Sequence, residues 1–170
     1  SMDALRPLGF IRSPYARRLD APHQPTVVEG TESGAPAEAT LELDAAYPES
    51  MLRDLEGFER VWLIFQFHLS EGWAPTVQPP RGPKRKRGVL ATRSPHRPNG
   101  LGLSCVELVG VEGRVLRFRG VDLLDGTPVL DLKPYVPYAD AFPDARAGWI
   151  DEVDAATGLH SAPGPKRPRR

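Results

Sequence analysis

The run Phe58-Glu59-Arg60-Val61-Trp62-Leu63-Ile64-Phe65-Gln66-Phe67-His68 constrains the fold more than any other stretch of the chain. It is strand-length, β-branched and aromatic, and too apolar to lie on an exposed edge. It therefore predicts a central strand, whose backbone groups need hydrogen-bonding neighbours on both sides. Further strands are expected at residues 8–12, ended by Ser13-Pro14, and at 39–43, 88–92, 101–111 and 114–118, the last two joined at Glu112-Gly113. Residues 121–124 and 129–132 read as two more, flanking Asp125-Gly126-Thr127-Pro128, a turn by composition. Pro48 to Leu55 opens with proline and acid as a short helix does, and Gly57 stops it.

Long loops are expected before residue 39 and, rich in proline and basic residues, from 70 to 88; after Tyr138 the pattern fades, and a flexible tail is expected from Pro163 onward. Nowhere do strands alternate with helices of ten to fifteen residues. The pattern excludes a βαβ fold and predicts an antiparallel sheet closed into a barrel.

A chain of 170 residues fits one domain with a real core and a short appendage. Lysine plus arginine equals aspartate plus glutamate at 22 each, so charge distribution is more informative than net charge. Residues 29–59 are mostly acidic, with Arg53 the only basic residue among them. From Arg81 to Arg97 every charged residue is basic: Arg81, Lys84, Arg85, Lys86, Arg87, Arg93 and Arg97. A second basic cluster, Lys166-Arg167-Pro168-Arg169-Arg170, closes the sequence. The lone Cys105 excludes an intrachain disulfide and suits a reducing compartment. With no apolar run near the ~20 residues that span a bilayer and no leader pattern, a soluble, cytoplasmic protein without membrane attachment is expected.

Gly88-Val89-Leu90-Ala91-Thr92-Arg93-Ser94-Pro95-His96-Arg97-Pro98-Asn99-Gly100-Leu101-Gly102-Leu103-Ser104 begins and ends like a strand, yet eight loop-type residues lie between its ends, where Asn-Gly alone would close a hairpin. Pro95 and Pro98 stiffen that segment, and neither Arg93, Arg97 nor His96 can contribute to a core. Two guanidiniums held in a braced loop suit carboxylate or phosphate recognition; the alternative is a pair of solvated charges. His68 is either a hydrogen-bonded core group or part of a site where the barrel opens. Asp122-Leu123-Leu124-Asp125 before Gly126 is either an ordinary turn or a set of carboxylates for ribose hydroxyls or a cationic group. Lys84-Arg85-Lys86-Arg87 is a solvated loop or a track for an RNA backbone.

The four histidines show no paired spacing, and one cysteine cannot build a zinc cluster, so no metal is expected. Gly100-Leu101-Gly102 lies between loop and strand with no helix to receive a pyrophosphate, which excludes a Rossmann site.

Taken in order, Ile11-Arg12-Ser13-Pro14-Tyr15, His23-Gln24-Pro25, Leu55-Glu56-Gly57-Phe58 with the run to His68, the braced loop, and Asp125-Gly126-Thr127-Pro128-Val129-Leu130-Asp131-Leu132-Lys133-Pro134-Tyr135 resemble the TsaA/TrmO family. The resemblance covers about residues 8–138. It implies a six-stranded antiparallel, non-Rossmann β-barrel with short helices and long loops, placed at 1–140; residues 141–170 are expected to be a C-terminal extension with a basic, flexible tail. It also implies a homodimer that binds S-adenosyl-L-methionine and methylates the exocyclic nitrogen of N6-threonylcarbamoyladenosine next to the anticodon of threonine tRNA.

Carried onto this sequence, the family's cofactor contacts fall on Gln24, Pro25, Thr26, Phe67, His68, Arg93, Leu101, Asp122, Leu123, Leu124 and Asp125. RNA contacts are expected at Lys84, Arg85, Lys86, Arg87 and Arg97. The catalytic set is His68, Arg93 and Asp125, with His68 or Asp125 as base and Arg93, Arg97 or Lys133 stabilising charge on the carbamoyl oxygen. Longer bacterial members carry a second C-terminal domain that aids tRNA binding. Without one, the two basic runs grip the tRNA or the substrate differs. The rival readings are a barrel methyltransferase for a small molecule and a non-catalytic RNA-binding barrel, whose exposed aromatic stacking row is not evident.

Overall fold

A computed structural model describes residues 4–15, 38–120 and 123–158. In chain order these form β1 (Gly9–Arg12), β2 (Glu38–Glu42), β3 (Arg60–Gln66), β4 (Thr76–Val77), β5 (Arg87–Gly88), β6 (Leu101–Glu112), β7 (Val115–Arg119) and β8 (Pro128–Pro134), then helices α1 (Pro137–Asp140) and α2 (Trp149–Thr157). Short 3-10 turns lie at Glu49–Leu52, Leu55–Gly57 and Val89–Ala91. The chain falls into two compact units, one from the described residues within 1–72 and 98–135, the other from those within 73–97 and 136–170.

In the first unit six strands close into an antiparallel barrel in the order β1-β2-β7-β6-β3-β8, the architecture expected from the sequence. The apolar strand β3 is indeed paired on both sides: Leu63 lies opposite Ser104 of β6 and Leu132 of β8. Its alternation is that of a strand with one buried face, since Val61, Leu63 and Phe65 are buried while Arg60 and Gln66 are exposed. Inward residues of the other strands, Ile11, Leu41, Val106, Leu116, Phe118 and Val129, complete a continuous core with β3. Each such side chain contributes about 1.5–3 kcal/mol when fully buried. Leu55 joins the core from its 3-10 turn and Leu123 from the loop before β8.

Gly102 lies directly opposite Phe65. A Cβ there would press on Phe65 Cε2, Cζ and Cδ2, the last at 2.9 Å, so the phenyl ring lies flat over the space a side chain would fill. Across β2, β7 and β6, Arg119 meets Glu38 at 3.1 Å and Glu107 at 3.5 Å, its register partners on either side. Partly exposed pairs of this kind are worth about 0–1 kcal/mol each, so their effect is on register more than on stability.

In the second unit, β4 and β5 form a two-stranded ladder, extended by the Val89 N–H donating to Pro75 O at 3.0 Å. Val89 and Val153 are its buried apolar side chains among the described residues. The Asp151 carboxylate accepts the Ala147 N–H at 2.8 Å and so ties the approaching chain to the first turn of α2, and Gly158, with φ of 71°, ends the helix.

Several local expectations are corrected. Residues 88–92 are not a strand: pairing stops at Gly88, and Val89–Ala91 turn as a 3-10 segment held by Thr92 Oγ1 donating to Val89 O at 2.9 Å. A local side-chain bond here displaces the ladder. Of the strand expected at 121–124, Leu123 and Leu124 are in a loop, and Val121 and Asp122 lie outside the described residues. The turn that follows closes one residue early, with Thr127 N–H donating to Leu124 O at 3.2 Å and Gly126 at φ of 83°. The short helix expected at 48–55 is two 3-10 turns separated by Asp54, whose φ of 69° interrupts helical geometry. The loop from 70 to 88 contains β4 and β5, and beyond Tyr138 the chain forms α2. The tail from Pro163 lies outside the described residues.

Gly102→Ala is expected to destabilise the protein by about 1–3 kcal/mol through overpacking against Phe65. A urea titration reads this as a lower midpoint at unchanged slope; an unchanged midpoint would contradict the packing described.

Candidate functional site

Strand direction gathers one set of loops at a single end of the barrel. β1 and β3 end there, and β6 and β8 begin there, as shown by Gln66 opposite Leu101 and Phe10 opposite Pro128. Ser13 to Tyr15, Phe67 and His68, Gly100, and Leu123 to Thr127 therefore share this end. Lys133, at the far end of β8 opposite Trp62, does not join them.

The end is fastened by polar contacts between the exit of β1 and the entry to β8. Asp125 Oδ1 accepts the Ser13 N–H at 3.1 Å, and Ser13 Oγ donates to Leu123 O at 2.7 Å. Asp125 N–H donates to Tyr15 O, and Gly126 N–H to Ile11 O, both at 2.7 Å. Thr127 is the one buried polar side chain among the described residues; its Oγ1 donates to Leu124 O at 2.7 Å and stands 3.5 Å from His68 Nδ1. His68 is exposed, and its Nε2 faces Gly126, where an added Cβ would stand 3.6 Å away. The exposed ring is therefore not the core group that one of the two readings of this histidine expects.

Phe67 is half-buried, its ring edge-on to Phe65 with centroids 5.2 Å apart, and its N–H donates to Gly100 O at 2.8 Å. Gly100, at φ of 57°, makes the turn into β6. Leu101 follows with an exposed side chain. Together, an imidazole, a carboxylate with one oxygen already committed, a bare glycine face and two apolar side chains line this end. Such a set can hold a partly apolar ligand with hydroxyl groups and can move a proton.

In the second unit the braced loop owes its shape to side chains as well as prolines. Thr92 Oγ1 accepts the Ser94 N–H at 3.3 Å, Ser94 Oγ accepts the His96 N–H at 3.2 Å, and Arg97 Nη1 donates to the carbonyls of Thr92 at 2.9 Å and Ser94 at 3.2 Å. Arg97 is thus built into the loop, whereas Arg93 is exposed. Arg87 lies over the Trp149 ring, 5.2 Å from its centroid, an interaction worth about 0.5–1 kcal/mol at an exposed site. Lys84, Arg85 and Lys86 are exposed.

Of the residues expected at the site, Phe67, His68, Leu101, Leu123, Leu124 and Asp125 come together at the barrel end, with Leu123 buried in the core and Leu124 offering its carbonyl to Thr127. Gln24, Pro25, Thr26 and Asp122 lie outside the described residues. Arg93, Arg97 and the run Lys84 to Arg87 belong to the second unit. Sequence reasoning missed Thr127, which it read only as a turn residue, and the partners Trp149 and Asp154 on α2. The signal for α2 was present in Trp149 and Val153, one helical turn apart between Gly148 and Gly158. Among the described residues no group of acidic, histidine or cysteine side chains could hold a metal ion, and no helix is long and apolar enough to cross a membrane.

The model of the tRNA-methyltransferase O N-terminal domain matches residues 10–141. The tRNA (adenine(37)-N6)-methyltransferase of Escherichia coli K12 is 43% identical over 157 residues, a stretch covering 88% of this chain and 64% of that protein. A probable S-adenosyl-L-methionine-binding protein of Pyrococcus abyssi is 40% identical over 151 residues, covering 89% of this chain and 78% of that one. The crystal structure of TrmO from Pseudomonas aeruginosa superposes with a TM-score of 0.70 at 43% identity, covering 89% of this chain and 64% of that one. Against the E. coli and P. aeruginosa proteins, the chain spans just under two thirds of the relative's length. With the matched domain reaching from the first strand of the barrel past its last, and the barrel itself shared with a solved relative, this chain belongs to the tRNA-methyltransferase O N-terminal domain family.

Proposed function

We propose that this chain is an S-adenosyl-L-methionine-dependent tRNA methyltransferase that acts, as a homodimer, on the exocyclic nitrogen of N6-threonylcarbamoyladenosine next to the anticodon of threonine tRNA. The observation that carries the reading is the gathering of Phe67, His68, Gly100, Leu101 and the Leu123–Thr127 segment at one end of a barrel whose family relatives are named for this class of reaction. The cofactor supplies a methyl group already activated on a sulfonium. The residues present fit such a ligand: Phe67 and Leu101 offer apolar surface for a base, Asp125 Oδ2 makes no hydrogen bond among the described residues and suits a ribose hydroxyl, and Gly126 leaves a face without a side chain.

The acceptor nitrogen sets the chemical demand. Its lone pair is drawn into the adjacent carbonyl, so it is a poor nucleophile until its proton leaves. His68, exposed at the mouth with Nδ1 near Thr127, accepts that proton through Nε2. Asp125 is less suited to the task, because Oδ1 is already occupied by the Ser13 amide. Arg93 supplies positive charge to an anionic group of a substrate, and the Lys84-Arg85-Lys86 turn meets RNA phosphates.

Incubation with labelled S-adenosyl-L-methionine and threonine tRNA, with and without the threonylcarbamoyl group, is expected to place label on the modified tRNA alone. Label on the unmodified tRNA would refute the substrate assignment. Absence of label despite measurable cofactor binding would point to a small-molecule acceptor. His68→Ala is expected to lower turnover by about 10²- to 10⁴-fold. Unchanged turnover in a folded His68→Ala protein would remove the imidazole from the mechanism.

A further inference from the structure

The basic segment of the second unit contains two kinds of cation. Arg81 is ion-paired with Asp154, and Arg87 is stacked on Trp149, so both are tied to α2. Lys84, Arg85 and Lys86, between them in sequence, are exposed and form no ion pair among the described residues. They occupy the connection that joins β4 to β5. Three adjacent like charges repel one another, and a freely moving loop would spread them apart.

Instead, the segment is fastened to α2 on both sides. Besides the two arginine contacts, Trp149 Nε1 donates to Ala91 O at 2.8 Å. Gly82, at φ of 78°, approaches α2 so closely that a Cβ would stand 2.7 Å from Val153 Cγ2. Val153 is buried at 3% exposure, so this is a packed contact rather than a passing one. Four residues flanking the cationic turn, Arg81 and Gly82 before it and Arg87 and Ala91 after it, are thus held by three residues of one helix, Trp149, Val153 and Asp154.

We propose that α2 is a brace that holds the Lys84-Arg85-Lys86 turn in a preset geometry for an RNA phosphate backbone, with Trp149 and Asp154 as positioning residues. The inference rests on the RNA-binding reading of the turn given above. Holding mutually repelling cations in place is unfavourable in isolation and becomes favourable when a polyanion neutralises them. A turn ordered in advance loses less entropy on binding. Arg81 and Arg87 are then anchors, and the three residues between them make the phosphate contacts.

Salt dependence separates the two roles, because each phosphate contact releases counterions whereas an anchor does not. The experiment is fluorescence anisotropy of the full chain with labelled, unmodified threonine tRNA transcript across potassium chloride concentrations, with folding of each variant checked by circular dichroism. Replacing Lys84, Arg85 and Lys86 together by alanine is expected to weaken binding and to reduce the slope of log Kobs against log salt by about 2–3. Trp149→Ala is expected to weaken binding about 5- to 10-fold at every salt concentration with the slope nearly unchanged. Trp149→Phe should recover part of that loss by restoring the aromatic face. Asp154→Asn, which keeps side-chain shape, should weaken binding in the same slope-preserving way and serves if Trp149→Ala fails to fold.

An unaltered affinity and slope in the triple variant would overturn the RNA-binding reading and the brace together. If the triple variant behaves as expected while folded Trp149→Ala and Asp154→Asn proteins bind within twofold of the parent, the brace is overturned and the RNA contact stands. A slope lowered by Trp149→Ala as much as by the triple variant would mean that the turn makes its phosphate contacts only when α2 holds it, and would overturn the slope-preserving role given to the brace.

Discussion

Closure of the sheet around β3 is the constraint on which the first unit depends. An apolar strand of this kind has two rows of backbone groups that must be bonded, and β6 and β8 supply them. Once β3 is paired on both sides, the inward residues of all six strands meet in one core, and the contact of Phe65 with bare Gly102 lets the phenyl ring fill the space between them. The same ring meets Phe67 edge-on, so core packing continues without a break into the end that carries His68. The geometry of this barrel end is a consequence of core geometry.

What could be read from the sequence divides along physical lines. Strands with an alternating apolar face were legible, because period-two burial is imposed by the pleat itself: β1, β2, β3, β6, β7 and β8 all lie within a residue or two of their expected places. Segments decided by local hydrogen bonds were not. Residues 88–92 have the composition of a strand, but Thr92 turns its hydroxyl back on Val89 O, and the segment becomes a 3-10 turn. Helix α2 escaped because its apolar pattern is carried by Trp149, Ile150 and Val153 alone, too few positions to stand out beside a chain otherwise read as β. The barrel-end residues Phe67, His68 and Asp125 were legible as a set through family motifs, whereas Thr127 was not, since a buried hydroxyl in a turn is visible only once its partners are known.

The stiffness of the basic loop also has a fuller cause than its two prolines. Thr92 and Ser94 each cap an amide two residues ahead, and Arg97 ties two carbonyls together, so three polar side chains are spent on fixing backbone. Arginines four apart in sequence therefore have unlike duties: Arg97 is structural, and Arg93 remains exposed. A count of basic residues overstates the charge available to a ligand whenever some are bonded into the scaffold.

The hydrogen bond from Phe67 N to Gly100 O, next to the pairing of Gln66 with Leu101, makes β3 and β6 adjacent arms of a hairpin despite everything between them. Residues 67–100 are in this sense one oversized hairpin loop. The entropy of closing a loop grows only logarithmically with its length, so lengthening, shortening or exchanging this excursion changes barrel stability little as long as its two ends keep their pairing. The length and sequence of this excursion can thus diverge at one insertion point while the register and core of the barrel stay the same.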